Sequence, residues 1–380
     1  MTSDTSPARA RPAERAGHEQ AAAAARLRAA AEALSVLRYR PAAEQRRASR
    51  YAMRLLSTHA AKADWRSAGL PPPLADPPPD PAPPRRPATP VVPLTDPAVL
   101  HLARAAMQLH STELRAADRP RRWAQLARFF AECLTEPTEE LVRLQERVAS
   151  ARVNAGDTSP EVLTALLATL DRYRAADGEN GYRTGLARAN LSVAYRHRGS
   201  GADLATATRL AAEEVRARTT RYGPDHPVTL VARSLYTLSL LVQAEAMTAP
   251  AAQRALATRA LAEITHVRTV RDRLFGVTAP NATRSRRHEA RAFILLGEFD
   301  KARVCLECTL AFESVSNGDR ESQESGQTHY ELARVNRALG DSGKALEHVQ
   351  QACRILAMHN PQGIAAGKAA ALLAELSSSS

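Results

Sequence analysis

Two segments of this chain align without a gap at a spacing of 43 residues, Gly297-Glu-Phe-Asp-Lys301-Ala302 and Gly340-Asp-Ser-Gly-Lys344-Ala345. Leu306 then falls on Val349, and an amphipathic stretch precedes each glycine, His288 to Leu296 in one case and Glu331 to Leu339 in the other. A period of this length restricts a chain to stacked supersecondary units, because one unit cannot bury its apolar face alone. The unit here reads as a helix hairpin, in which glycine permits the tight turn and alanine lets the second helix lie close against the first.

The other end of the unit also recurs. Arg221-Tyr-Gly223-Pro-Asp-His-Pro227 corresponds to Leu274-Phe-Gly276-Val-Thr-Ala-Pro280, with glycine ending one helix and proline starting the next. Sixteen residues before Gly223, Gly276 and Gly318 stand Ala207, Ala260 and Ala302, so three units share one spacing. The stretch Asn190-Leu-Ser-Val-Ala-Tyr195-Arg-His-Arg-Gly199, taken with the Gly223 to Pro227 turn, resembles the long tetratricopeptide repeat of the kinesin-light-chain type. The resemblance covers about residues 183–361 as four units. It implies an all-α fold, a right-handed α-solenoid of helix hairpins, that holds a protein or peptide partner in its concave groove. The sequence departs from the pattern in three places. The Gly199 turn carries an extra Ser-Gly-Ala, the second unit has an insertion around Glu245 to Arg254, and the fourth unit lacks the Gly-x-x-x-Pro ending.

Composition agrees with stacked helices: 44% hydrophobic residues suffice for a sizeable core, and 4% aromatics argues against a strand-rich fold. Along the chain we expect a disordered N-terminus over 1–17, a basic helical segment over 18–66 and a proline-rich linker over 67–96. Beyond them follow a helical region over 97–177 taken as degenerate repeats, four repeats over 178–361 and a capping helix over 362–376. The linker rests on 12 of the chain's 24 prolines falling between residues 71 and 93, a density that favours extended polyproline conformation.

In proteins with this repeat the first helix of each unit lines the groove. The resemblance therefore implies a site built from Asn190 and Arg196, from Arg284, Arg287, His288 and Arg291, and from Tyr330, Arg334 and Arg337, with Glu331 on the same mapped helix. Few acids share that face, so the groove reads as basic and its partner as acidic, because guanidinium pairs with carboxylate in bidentate geometry. Replacing Arg287, Arg291 and Arg334 by Ala is expected to abolish partner capture and to leave helicity intact. Gly199, Ala207, Gly223, Pro227, Ala260, Gly276, Pro280, Gly297, Ala302, Gly340 and Ala345 are the structural residues of the repeat.

No cofactor, metal or catalytic constellation is expected, and the chain reads as a non-enzyme. Cys305-Leu-Glu-Cys308 lacks a second Cys-x-x-Cys and falls within the second helix of a unit, where packing thiols are the simpler reading. Gly340 to Lys344 is too short for a phosphate loop and has Ala345 where Ser or Thr should stand. The Asp225-His226 pair sits in the turn between repeats, where His226 caps or packs. With four cysteines and no uninterrupted apolar run of membrane-spanning length, a cytoplasmic protein is expected. The net charge of +12 concentrates at the N-terminus, where residues 1–70 hold 13 Lys or Arg against six Asp or Glu. Arg46, Arg47, Arg50 and Arg54 share one side of an expected helix, which makes a transcriptional or nucleic-acid-associated regulator the alternative function.

Overall fold

The structure, a computed structural model, describes residues 12–35, 42–60, 65, 68, 70–71, 92–110, 118–133, 139–317, 321–361 and 363–378. Among them the chain forms fifteen helices and no strand beyond an isolated Ala60–Val92 bridge. The chain divides into two compact units, residues 1–151 and 152–380.

The first unit contains α1 (Pro12–Ser35), α2 (Ala42–His59), α3 (Pro97–His110), α4 (Arg119–Cys133) and most of α5 (Glu139–Asn154). Leu27, Ala31 and Leu34 of α1 and Ala52, Met53 and Leu56 of α2 meet Leu100, Leu102, Ala103 and Met107 of α3 in one apolar core. Trp65 joins it, with its ring 5.6 Å from that of Phe129 and 6.3 Å from that of Phe130, and the two phenylalanines meet edge to face at 5.2 Å. Such aromatic contacts contribute about 0.5–1.5 kcal/mol beyond the area buried. The start of α3 is fixed by Asp96, whose carboxylate accepts from the Ala98 amide at 2.8 Å, and by Pro97 at the helix entrance.

Two expectations change here. The N-terminal helices do not form a segment of their own tethered by a proline linker, because they share their core with α3 and α4. The reason is the apolar pair Leu70 and Val92 at the ends of the proline-rich stretch, both buried in that same core, with the Val92 amide donating to His59 O at 2.7 Å. The prolines between, residues 72–91, lie outside the described residues, and so do residues 1–11 and Gly318. Helix also begins earlier than residue 18: α1 opens at Pro12, a residue tolerated in a first helical turn. The stretch 97–177, expected as degenerate repeats, is divided between the two units.

The second unit runs from the end of α5 through α6 (Pro160–Asp177), α7 (Tyr182–Arg198), α8 (Gly201–Tyr222), α9 (Pro227–Glu245) and α10 (Pro250–Phe275). It continues with α11 (Pro280–Leu296), α12 (Phe299–Asn317), α13 (Gln323–Ala338), α14 (Ser342–His359) and α15 (Ile364–Ser378). Each helix from α6 onward packs on the next, and α7, α9, α11 and α13 also touch one another in that order. This is the contact pattern of stacked hairpins whose first helices form an inner row, the architecture of a tetratricopeptide-like solenoid. The packing alanines Ala207, Ala260, Ala302 and Ala345 have no exposed surface. Gly297 and Gly340 close their turns at φ 79° and 81°, a left-handed backbone that costs any residue with a Cβ. Gly199, Gly223 and Gly276 end their helices with φ 78°, 91° and 85°, and Pro227 and Pro280 open α9 and α11. The insertion in the second unit is helix from Pro250 onward and turn before it: α10 extends to 26 residues, against 22 in α8, 19 in α12 and 18 in α14.

Turn chemistry follows the sequence closely. His226 accepts from the Val228 amide at 3.2 Å and stacks on Tyr222, and the Asp341 side chain accepts from the Lys344 amide at 3.0 Å, so the glycine-rich turn at 340–344 serves as a helix entrance. α15 covers the end of the stack by placing Leu372 and Leu376 against Ala333, Ala345 and Val349.

Candidate functional site

The inner row α7, α9, α11 and α13 borders a cavity of about 440 Å³, whose lining also takes in Asn154 and Gly156, Asn360, and Ile364, Ala365, Ala366 and Lys368 of α15. Its apolar side chains include Leu238 and Val242 of α9, Leu356 of α14 and Ile364 of α15. The opposite character comes from Arg196, Arg287, Arg291, Arg334 and Lys368.

Most of these cations already have partners. Arg291 reaches Glu245 Oε1 at 3.0 Å and Glu331 Oε1 at 3.3 Å, while Arg334 reaches Glu331 Oε2 at 2.7 Å and Glu245 Oε1 at 3.3 Å. Lys368 lies 3.7 Å from Glu245 Oε2. Burial opposes ionisation of Glu245, but Arg291, Arg334 and Lys368 outweigh it and hold its carboxyl at about 2. Arg287 belongs to a different contact. Its guanidinium pairs with Glu313 of α12 at 3.0 Å and donates to Glu324 O at 3.2 Å, and Thr328 donates to the second Glu313 oxygen at 3.0 Å. Desolvation, larger than the mutual attraction, lowers the Arg287 pKa and raises that of Glu313, the signature of an ion pair whose loss of one partner is costly.

Arg196 differs from the others. Its Nη1 is buried and has no hydrogen-bond partner among the described residues. Desolvation, reinforced by the nearby Arg291 charge, brings its pKa down to about 10. His288, also on the cavity, is buried with its Nδ1 unpartnered, and desolvation together with Arg287 and Arg291 keeps it neutral far below its ordinary range. Beside Arg196, His197 donates from Nδ1 to Val153 O at 3.0 Å and is lowered to about 4, by desolvation first and the Arg196 charge second.

Of the nine groove residues expected from sequence, six border the cavity: Arg196, Arg287, His288, Arg291, Tyr330 and Arg334. Arg284 pairs with Glu324 at 3.0 Å and Arg337 with Glu375 at 2.5 Å, both outside it, and Asn190 is half-buried on α7 away from the lining. The expectation that few acids share this face is corrected, because Glu245 at the end of α9 and Glu331 on α13 stand among the arginines. The expectation that replacing Arg287, Arg291 and Arg334 by Ala leaves helicity intact meets an obstacle at Arg287, since Glu313 would remain buried without its cation.

Sequence reasoning missed a second feature. Eleven residues after the packing alanines Ala207, Ala260 and Ala302 stand Arg218, Arg271 and Glu313, each buried. Arg218 pairs with Glu214 on its own helix and donates to Tyr182 O at 2.9 Å; Arg271 donates to Ser285 Oγ at 2.8 Å and Leu230 O at 3.0 Å. Charged residues at one fixed offset from the repeat alanine were the available signal. Of the two cysteines expected to pack, Cys305 does so: it donates to Arg286 O at 3.3 Å, and burial pushes its thiol up to about 12, whereas Cys308 is exposed.

No family model matches the chain, and no curated protein matches it. Solved structures do. A kinesin light chain repeat structure from Podosopora anserina, with nearly identical TPR-like repeats, shares 18% identity over 57% of this chain and 95% of its own, with a TM-score of 0.42. BtubC (BKLC) from P. vanneervenii shares 17% identity over 64% of this chain and 88% of its own, with a TM-score of 0.44. The TPR2AB domain of yeast Sti1, solved in complex with pHSP90, shares 14% identity over 70% and 98%, with a TM-score of 0.25. This chain is similar to these tetratricopeptide-like proteins in the kind of repeat, and at these scores the likeness says nothing of a ligand.

Proposed function

We propose that this protein is an interaction scaffold, and that residues 152–380 hold a protein or peptide partner through the cavity on their inner helix row. The observation that carries this reading is Arg196, a cavity cation whose buried Nη1 has no hydrogen-bond partner among the described residues. A buried donor left unsatisfied costs about 1–3 kcal/mol, more when charged, and an incoming carboxylate relieves that cost. An acidic partner group suits the site for a second reason. The five cations of the lining are joined by three acids, Glu245, Glu313 and Glu331, so the site keeps a positive surplus of two. The same chemistry needs no catalytic group, and the four cysteines, all free, suit a cytoplasmic setting. Among the described residues no helix is long and apolar enough to cross a membrane.

The test is fluorescence anisotropy of the full chain against labelled octapeptides that differ only in charge. Acidic peptides are expected to bind at least tenfold more tightly than neutral ones, and Arg196→Met is expected to remove the preference with unchanged helicity by circular dichroism. Equal binding of acidic, neutral and basic peptides by the unaltered protein would overturn the reading.

One observation supports the nucleic-acid alternative. Arg47, Arg50 and Arg54 of α2 are exposed, while Ala48, Ser49, Ala52, Met53 and Leu56 face the core; nothing is described for the Arg46 side chain. Duplex DNA titrated into the full chain at several salt concentrations decides this reading. Each phosphate neutralised should contribute about −0.9 to the log–log slope, and a flat response excludes it.

A further inference from the structure

Three features of the cavity together narrow what fits. Its lining spans from Asn154 and Gly156 to the start of α15. Its volume of about 440 Å³ lies in the range of small-molecule pockets. A dry cavity of about 150 Å³ takes a benzene ring, so this one has room for roughly 15–20 non-hydrogen atoms. Finally, most of its cations are already paired. Glu245 and Glu331 occupy Arg291 and Arg334, and Glu313 occupies Arg287. The buried lining atoms without a hydrogen-bond partner among the described residues are Arg196 Nη1, His288 Nδ1, Asn360 Oδ1 and Arg291 Nε, the last still 3.3 Å from Glu331 Oε1, so Arg196 is the one guanidinium of the lining with no carboxylate beside it. One unpartnered guanidinium nitrogen asks for one anionic group, not a run of acids. The apolar side chains Leu238, Val242, Leu356 and Ile364 in the same lining suit an apolar body attached to it.

We infer that the cavity binds a free small monocarboxylic acid with an apolar body, its carboxylate on Arg196 and its chain against the apolar lining side chains of α9 and α15, as an effector that competes with the acidic group of the partner. The inference rests on the cavity being the binding site and narrows its occupant. The Glu245 carboxylate, held by three cations from α11, α13 and α15, stays in place, so the acid need not displace it.

The experiment is isothermal titration of the full chain with octanoate, decanoate and dodecanoate below their micellar concentrations, with methyl decanoate as the uncharged control. Each two-carbon extension is expected to tighten binding about tenfold, from about 0.8 kcal/mol per buried methylene, and the ester is expected to bind at least tenfold more weakly than the acid. Arg196→Met should lose the distinction between acid and ester, yet it removes an unpaired buried charge and so should fold at least as stably as the parent. Val242→Phe, which fills the apolar side, should lose decanoate binding while Arg196 stays intact. Binding that is absent, or equal for acid and ester, or unchanged in both variants, overturns the inference. The octapeptide assay separates the two failures. Acidic peptides bound through Arg196 without any fatty-acid binding leave the scaffold reading standing and remove this one; decanoate bound with no charge preference among peptides does the reverse.

Discussion

The two units of the chain solve the problem of burial differently. Residues 1–151 bury hydrocarbon and aromatic rings, and their buried polar side chains among the described residues are Gln45 and Ser49, the latter donating to Ala106 O at 3.0 Å. Residues 152–380 bury Arg188, Arg218, Arg271, Arg286 and Arg287 together with Glu214, Glu289 and Glu313. A core of hydrocarbon is tolerant of volume-conserving exchange. A core wired by charge is not, because each partner removed strands the other. The wiring runs between helices that are distant in sequence, such as Arg334 to Glu245 across 89 residues, and this fixes how successive hairpins meet around the cavity.

Breaking one partner of the buried wiring should give the largest effect. Arg287→Ala is expected to cost about 3–5 kcal/mol in denaturant unfolding of the full chain, and adding Glu313→Gln should return most of it. Full cost in the double variant would show that Arg287 acts by packing alone. In the first unit Phe130→Ala should cost a similar 3–5 kcal/mol through its cavity, but no second polar substitution should rescue it. Hydrogen exchange read by mass spectrometry should place each loss in its own unit.

Acidification should separate the units next. Glu245 ionises at about 2 in the folded chain against 4.5 as its ordinary value. A depressed carboxyl contributes stability that is present above the unfolded value and lost as pH falls toward the folded one, here about 2 kcal/mol between pH 5 and 3. Glu245→Gln should flatten that part of the stability profile. His197, lowered to about 4 from 6.5, acts over a higher window. The unfolded chain takes up the proton below pH 6.5 and the folded chain does not, so stability declines from pH 6.5 to 4, by about 1 kcal/mol per pH unit. His197→Gln should remove that slope, and exchange protection in residues 12–60 should not follow it. The smallest effect expected is Gly297→Ala, about 1 kcal/mol from the left-handed turn less the entropy lost in the unfolded chain, measured by the shift in unfolding midpoint.

Some of this was written plainly in the residues. The 43-residue spacing, the alanines at Ala207, Ala260, Ala302 and Ala345 and the glycine turns are local signals, and a repeat constrains each unit by its own sequence plus that of its neighbour. Six of the nine residues expected in the groove border the cavity; the resemblance to the repeat supplied which helix of each hairpin lines the inner row, and the helix period supplied which of its residues share a face. The reading of them as an open basic surface was less sound. A helix period tells which side a residue is on, but not which carboxylate a distant helix delivers to it.

The sequence by itself determined the all-helical class, the hairpin unit and the positions of its turns, since these depend on backbone sterics and apolar periodicity within about forty residues. Only the tertiary structure decided the rest: that the N-terminal helices share a core with α3, that Glu245 and Glu331 quench most of the expected basic groove, and that Arg196 Nη1 finds no partner among the described residues. Those outcomes depend on which charges meet across the solenoid. Attraction between buried charges is governed by distance and desolvation, and neither quantity exists until the helices are stacked.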